Sequence, residues 1–74
     1  MDITKKFAQY MKHIRSTKKL TIRQMEEVTS IPRSTISLIE HTHKGLTVKR
    51  METFLEKNSL SLEDFVRYSG TDQE

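Results

Sequence analysis

The sequence predicts an all-α fold, a compact bundle of five short helices packed as one domain. Three observations carry that expectation. Apolar residues recur at three- and four-residue spacing in five separate stretches, and none shows the strict alternation of a strand. Hydroxyl residues able to cap a helix stand immediately before several of those stretches. At 74 residues with no cysteine, the chain is too short for two cores and has no disulfide or thiolate metal site, so packed helices or dimerisation must hold it together.

The first helix is expected over Ile3 to Ile14, capped by Asp2 or Thr4, with Ile3, Phe7, Tyr10, Met11 and Ile14 along one face. Lys5, Lys6, Lys12 and His13 line its wet side. Ser16 to Lys19 lead to Leu20, an isolated apolar residue placed to plug the core.

Thr21 starts the second helix. Gln24 stands three residues on, where it can close a capping box. Ile22, Met25 and Val28 recur at helical spacing until Thr29, Ser30 and Ile31 break the pattern. Pro32, with its preset φ, suits the first turn of a third helix running to about Glu40. In that helix Ile36 and Ile39, with Ile31 before them, form the inward stripe, while Arg33, Ser34, Ser37 and Leu38 fall on the other side. Two helices joined by a three-residue corner, the second projecting short polar side chains, have the form of a helix-turn-helix whose second member enters a DNA major groove.

The stretch HTHKGLT after Glu40 lacks an apolar period and contains Gly45, so a loop is expected. Its two histidines at i and i+2 invite a metal reading. That reading is rejected, because only His13 and scattered carboxylates could complete a four-ligand set. Thr47 caps a fourth helix with Val48, Met51, Phe54 and Leu55 as a core stripe, ending near Asn58 and Ser59. Lys49 and Arg50 in its first turn oppose the helix dipole, a cost offset if that turn lies against phosphates. Leu60 fills the connector. Ser61, boxed by Asp64, starts a fifth helix that Gly70 ends.

Charge divides by position. Residues 1–50 carry +7 and residues 51–74 carry −4. Clustered cations beside the helical pair favour a phosphate surface, since counterion release rewards them. The longest apolar run is a few residues, so neither signal peptide nor membrane span is expected, and a cytoplasmic protein is the default. Paired carboxylates at a useful spacing, a nucleophile with its base and a glycine-rich phosphate loop are all missing, so an enzyme is not expected and no cofactor is implied.

The segment PRSTISLIE closely resembles the recognition helix of the XRE family of helix-turn-helix domains, the Cro and phage-repressor class, and LEKNSLSLEDF resembles that family's last two helices. The likeness runs from about Phe7 to Phe65. It implies a lambda-repressor-like domain over residues 1–70, with residues 71–74 as a disordered tail. It also implies a cytoplasmic, nucleoid-associated regulator of bacterial or phage origin, most simply a repressor, whose partner is a double-stranded DNA operator. Carried across residue by residue, base reading falls on Arg33, Ser34, Ser37 and Leu38. Phosphate contacts fall on Thr21, Arg23, Thr35, His41, Thr42, His43 and Lys44. If His41 or His43 contacts phosphate as the imidazolium, binding strengthens as pH falls toward about 6. Arg15 and Glu40 occupy the places of a structural ion pair that clamps the first helix to the third.

Three positions depart from the family pattern: Ile22 replaces a glutamine, Glu26 a small alanine and Ser30 a turn glycine. A carboxylate at position 26, between the helices, must escape to solvent, find Arg23 or Arg33, or take a shifted pKa. Leu62, Phe65, Val66 and Tyr68 exceed what one short helix buries alone, which suggests a homodimer surface there; the alternative is that all four close the monomer core. A different function class stays open beside the DNA reading, that of a protein-interaction module such as an antirepressor or antitoxin, holding a protein partner through its acidic C-terminal helices.

Overall fold

Local side-chain chemistry starts most of the helices. The computed structural model describes residues 3–69, with helices α1 (Ile3–Thr17), α2 (Ile22–Thr29), α3 (Arg33–Thr42), α4 (Val48–Lys57) and α5 (Leu62–Arg67). No strand occurs among the described residues. The Thr21 hydroxyl accepts from the Gln24 amide at 3.0 Å while the Gln24 side chain accepts from the Thr21 amide at 2.8 Å. Ser61 and Asp64 repeat that reciprocal box, and Thr47 accepts from the Arg50 amide at 3.1 Å. Each box satisfies two backbone donors that a helix start would otherwise leave unpaired.

The helix ends use a less favourable device. Lys19, Ser30, His43 and Ser59 all take positive φ, between 57° and 64°, a region where a side chain costs about 1 to 2 kcal/mol relative to glycine. After α1, the Leu20 amide reaches the Arg15 carbonyl and the Lys19 amide the Ser16 carbonyl, both at 3.0 Å. The same pair of bonds closes α4 through Leu60 and Ser59. These two ends are Schellman motifs built without glycine.

Several boundaries differ from the sequence expectation. α1 runs three residues beyond Ile14, through Arg15, Ser16 and Thr17, which offer no apolar residue for the stripe to register. α3 continues through His41 and Thr42, which were expected in the loop. That turn is held by the Thr42 hydroxyl donating to the Leu38 carbonyl at 2.7 Å and by the His41 ring against the Ser37 carbonyl. Pro32 is the N-cap rather than a first-turn residue. α5 ends at Arg67, with Tyr68 extended after it, short of the expected Gly70. Asp2 as a cap, Gly70 as a helix end and the tail at 71–74 lie outside the described residues.

The core is aromatic at one end and aliphatic at the other. Phe7 and Tyr10 of α1, Phe54 of α4 and Phe65 of α5 are buried and meet edge-on or tilted, with ring centroids 4.7 to 6.5 Å apart. Met11, Met25, Ile31, Ile36 and Ile39 continue it under α2 and α3. Among the polar residues buried there, Thr29 and Asn58 both have their side chains satisfied. The Thr29 hydroxyl donates to the Met25 carbonyl at 2.9 Å and accepts from the Ile31 amide at 3.2 Å. The Asn58 amide donates to the Phe54 carbonyl at 2.9 Å, and its oxygen accepts from Lys18 Nζ at 2.9 Å. Ile3, Val28 and Val48, expected on inward stripes, are exposed instead.

Candidate functional site

The site is built on α3 and on what holds α3 in place. At the α2–α3 corner Ser30 turns the chain with φ 64°, and its amide bonds the Glu26 carbonyl at 2.7 Å. Ile31 is then drawn inward to 4% exposure, and its amide is taken up by Thr29 rather than left unpaired. Ile36 and Ile39, both fully buried, seat α3 on α1 and α2. With that stripe fixed, helical geometry turns Arg33 and Ser34 outward, and both are exposed.

A second constraint comes from α1. Arg15 Nε donates to Glu40 Oε2 at 2.8 Å and Nη2 to Oε1 at 2.9 Å, a two-pronged pair between the last turn of α1 and the last turn of α3. The remaining Nη1 donates to the Leu20 carbonyl at 2.9 Å. One guanidinium thus joins α1, the chain leading into α2, and α3. The Glu40 side chain is 3% exposed and that of Arg15 18%. The bond to Glu40 raises the Arg15 pKa, against the lowering effect of burial, so the cation is permanent.

The expected base-reading residues share one side of α3 but differ in freedom. Arg33 makes no hydrogen bond or ion pair among the described residues, and its fork is available. Ser34 is equally open. Ser37 is half-buried, and its carbonyl and hydroxyl face the His41 ring at 2.8 and 3.3 Å. Leu38, 46% exposed, leans on the loop: a Cβ added at Gly45 would lie 3.1 Å from Leu38 Cδ2, and Gly45 itself has φ 84°. Its contact with the loop accounts for part of its apolar surface.

The expected phosphate contacts divide similarly. Arg23 and Lys44 are exposed and carry no ion pair among the described residues. The Thr21 hydroxyl is engaged as a helix cap but keeps its own proton to donate. The Thr42 hydroxyl is occupied, donating to Leu38 and accepting from the Lys44 amide at 3.2 Å. Thr35 is half-buried, and so is His43, which closes α3 with φ 64°. At His41 the carbonyl of Ser37 can only accept, so Nδ1 carries the hydrogen. Nε2 is then left to accept when the ring is neutral and to donate when it is protonated.

Glu26 is half-buried and forms no ion pair with Arg23 or Arg33 among the described residues, so Arg33 is not tied up by it. Of the four residues expected at a dimer surface, Phe65 is 3% exposed and belongs to the core, which removes it from that surface. Tyr68 is half-buried, with its ring 5.2 Å from Tyr10 and 5.0 Å from His13. Leu62 and Val66 remain exposed at 65% and 62%.

Thr29, which ties the corner before α3, and the Lys18–Asn58 bond between the end of α1 and the end of α4 were both missed by sequence reasoning. Thr29 lies four residues after Met25, on the inward face, and its place on that face was the available signal. No signal marks a pair forty residues apart. Among the described residues no group of three or more histidines and acids converges on a point where a metal could sit, and no helix is long and apolar enough to cross a membrane. No family model, curated protein or solved structure matches the chain significantly.

Proposed function

We propose that the chain is a sequence-specific double-stranded DNA-binding transcriptional regulator of the repressor type, a helix-turn-helix domain of the XRE class with α3 as recognition helix. The observation that supports this most is the pairing of an open face with a fixed helix. Arg33 and Ser34 stand exposed at the start of α3, and neither is covered by a neighbouring element. The helix that carries them is held by a buried stripe, by the Thr29-tied corner and by the Arg15–Glu40 fork. A guanidinium on a rigid helix can donate two bonds to guanine O6 and N7, a contact worth about 1 to 3 kcal/mol of discrimination. Arg23, Lys44 and Lys49 supply exposed cations for flanking phosphates.

Binding to duplex DNA at graded salt tests the reading against an interaction module. Each cation on a phosphate adds about −0.9 to the slope of log affinity against log salt, so four per bound chain give about a 100-fold loss between 50 and 200 mM. Affinity for duplex DNA that is absent, or flat with salt, overturns the proposal and leaves the protein-partner reading.

A further inference from the structure

Leu38 is the one large hydrophobic side chain of α3 that is exposed among the described residues, at 46%. Isolated exposed hydrophobics need no explanation, but this one has a support built behind it. Three successive residues after Thr42 are tied down beside it. The His43 amide donates to the Ile39 carbonyl at 2.9 Å. The Lys44 amide donates to the Thr42 hydroxyl at 3.2 Å, and that hydroxyl donates to the carbonyl of Leu38 itself at 2.7 Å. The Gly45 carbonyl accepts from Arg50 Nη1 at 2.8 Å, a bond that reaches back from the first turn of α4. Gly45 comes so close to Leu38 that a Cβ there would stand 3.1 Å from Leu38 Cδ2 and 3.8 Å from its Cγ.

We propose that Arg50, acting through Gly45, is a positioning residue that holds Leu38 in one pose, and that Leu38 so held selects an A·T pair by packing on the 5-methyl group of its thymine. The inference rests on the proposed entry of α3 into the major groove, and adds to it a base that hydrogen bonds do not choose. The residues three and four places from Leu38 along the helix, Ser34, Thr35, His41 and Thr42, all carry hydrogen-bonding groups. None of them offers the leucine an apolar cover, so the side away from Gly45 is covered only when a base edge closes over it. Against guanine, cytosine or adenine the leucine would dry a donor or acceptor without pairing it. The thymine methyl is the apolar group that a base edge presents in that groove. A leucine sampling several rotamers would lose part of the contact to ordering. The Gly45 backstop, latched by Arg50, removes that loss before the DNA arrives.

Duplexes selected from a random pool by the whole chain, then resynthesised with each thymine in turn replaced by deoxyuridine, test this. That replacement removes one methyl and no hydrogen-bonding group. At one position it should cost the parent about fourfold in affinity, and the same change should cost Leu38→Ala nothing measurable. Arg50→Met keeps the stem and loses the donors, and should bring the penalty below about twofold. Arg50→Lys, still able to donate to the Gly45 carbonyl, should restore it. An Arg50 that merely stabilised the fold would weaken binding to thymine and deoxyuridine duplexes alike, and an unchanged ratio in Arg50→Met overturns its positioning role. Methyl NMR without DNA gives a second readout. The two Leu38 δ-carbon shifts should stand apart in the parent, as in a single rotamer, and draw together in Arg50→Met. Should that variant fail to fold, Gly45→Ala, whose added Cβ meets Leu38 Cδ2, should displace the same shifts. Shifts already averaged in the parent, no thymine whose methyl counts, or a penalty that Leu38→Ala retains each overturns the inference while the selected motif stands. A pool that yields no motif overturns the proposed function, and the inference with it.

Discussion

Removing Arg15 strands a buried charge. In Arg15→Met the Glu40 carboxylate, 3% exposed, loses both donors at 2.8 and 2.9 Å, and the Leu20 carbonyl loses a third. Breaking a buried pair from one side costs about 3 to 5 kcal/mol. Arg15 is itself 18% exposed, so water can enter the space it vacates, which places the cost at the lower end, about 3 kcal/mol. A domain of this size holds about 4 to 11 kcal/mol in total, so the variant sits near the edge of folding, with Tm lowered by about 12 to 24 °C. Glu40→Gln keeps the shape and one acceptor and should cost less, about 1.5 to 2 kcal/mol. Arg15→Met with Glu40→Leu removes both charges and should return to within about 1 kcal/mol of the parent. Urea unfolding followed by far-ultraviolet circular dichroism on the parent, Arg15→Met, Glu40→Leu and the double variant gives all four corners of the cycle. A loss below about 1 kcal/mol for Arg15→Met alone, or a double variant no better than the single ones, would refute the view that burial of Glu40 sets the energetics.

Two further changes follow from the caps. Ser30 is exposed, has φ 64° and makes no side-chain hydrogen bond among the described residues. Ser30→Gly should therefore stabilise by about 0.5 to 1 kcal/mol, read as a higher urea midpoint, and a lower midpoint would contradict the cost assigned to that turn. At the start of α5 the bonds from Ser61, backbone first and hydroxyl second, hold the Asp64 carboxyl below its usual value of 3.8. A folded pKa below the unfolded one means that this group's stabilisation is present above pH 3.8 and is lost as pH falls through the lower, folded value. Asp64→Asn should flatten the acid limb of stability against pH below about 4, and an unchanged limb would place the acid sensitivity elsewhere.

What was legible in the sequence was local. Thr21, Thr47 and Ser61 start helices through bonds to residues three positions on, and such signals survive without knowledge of the tertiary fold. The inward stripe of α3 was legible for the same reason. The end of α3 was not, because His41 and Thr42 continue the helix through polar bonds to Ser37 and Leu38 that leave no apolar period to count. Periodicity also names a stripe without naming what covers it. Val48 and Ile3 lie in register with core residues yet remain exposed, and no other element among the described residues covers them. Thr29 broke the apolar pattern in the sequence, but in the fold it is the fully buried residue that ties the corner carrying Arg33. The resemblance to the XRE family brought Arg15 and Glu40 together on paper; the third bond, to Leu20, depends on how the chain turns after α1 and was not foreseeable.

The proposed role of α3 is tested most directly by selecting bound sequences from a pool of random duplex DNA with the parent chain and with Arg33→Ala. The account predicts that the parent enriches one motif containing a fixed guanine and that the variant, still folded, relaxes at that base pair by about 1 to 3 kcal/mol while keeping the rest of the motif. Enrichment of no motif, or of a motif that Arg33→Ala reads unchanged, would contradict it.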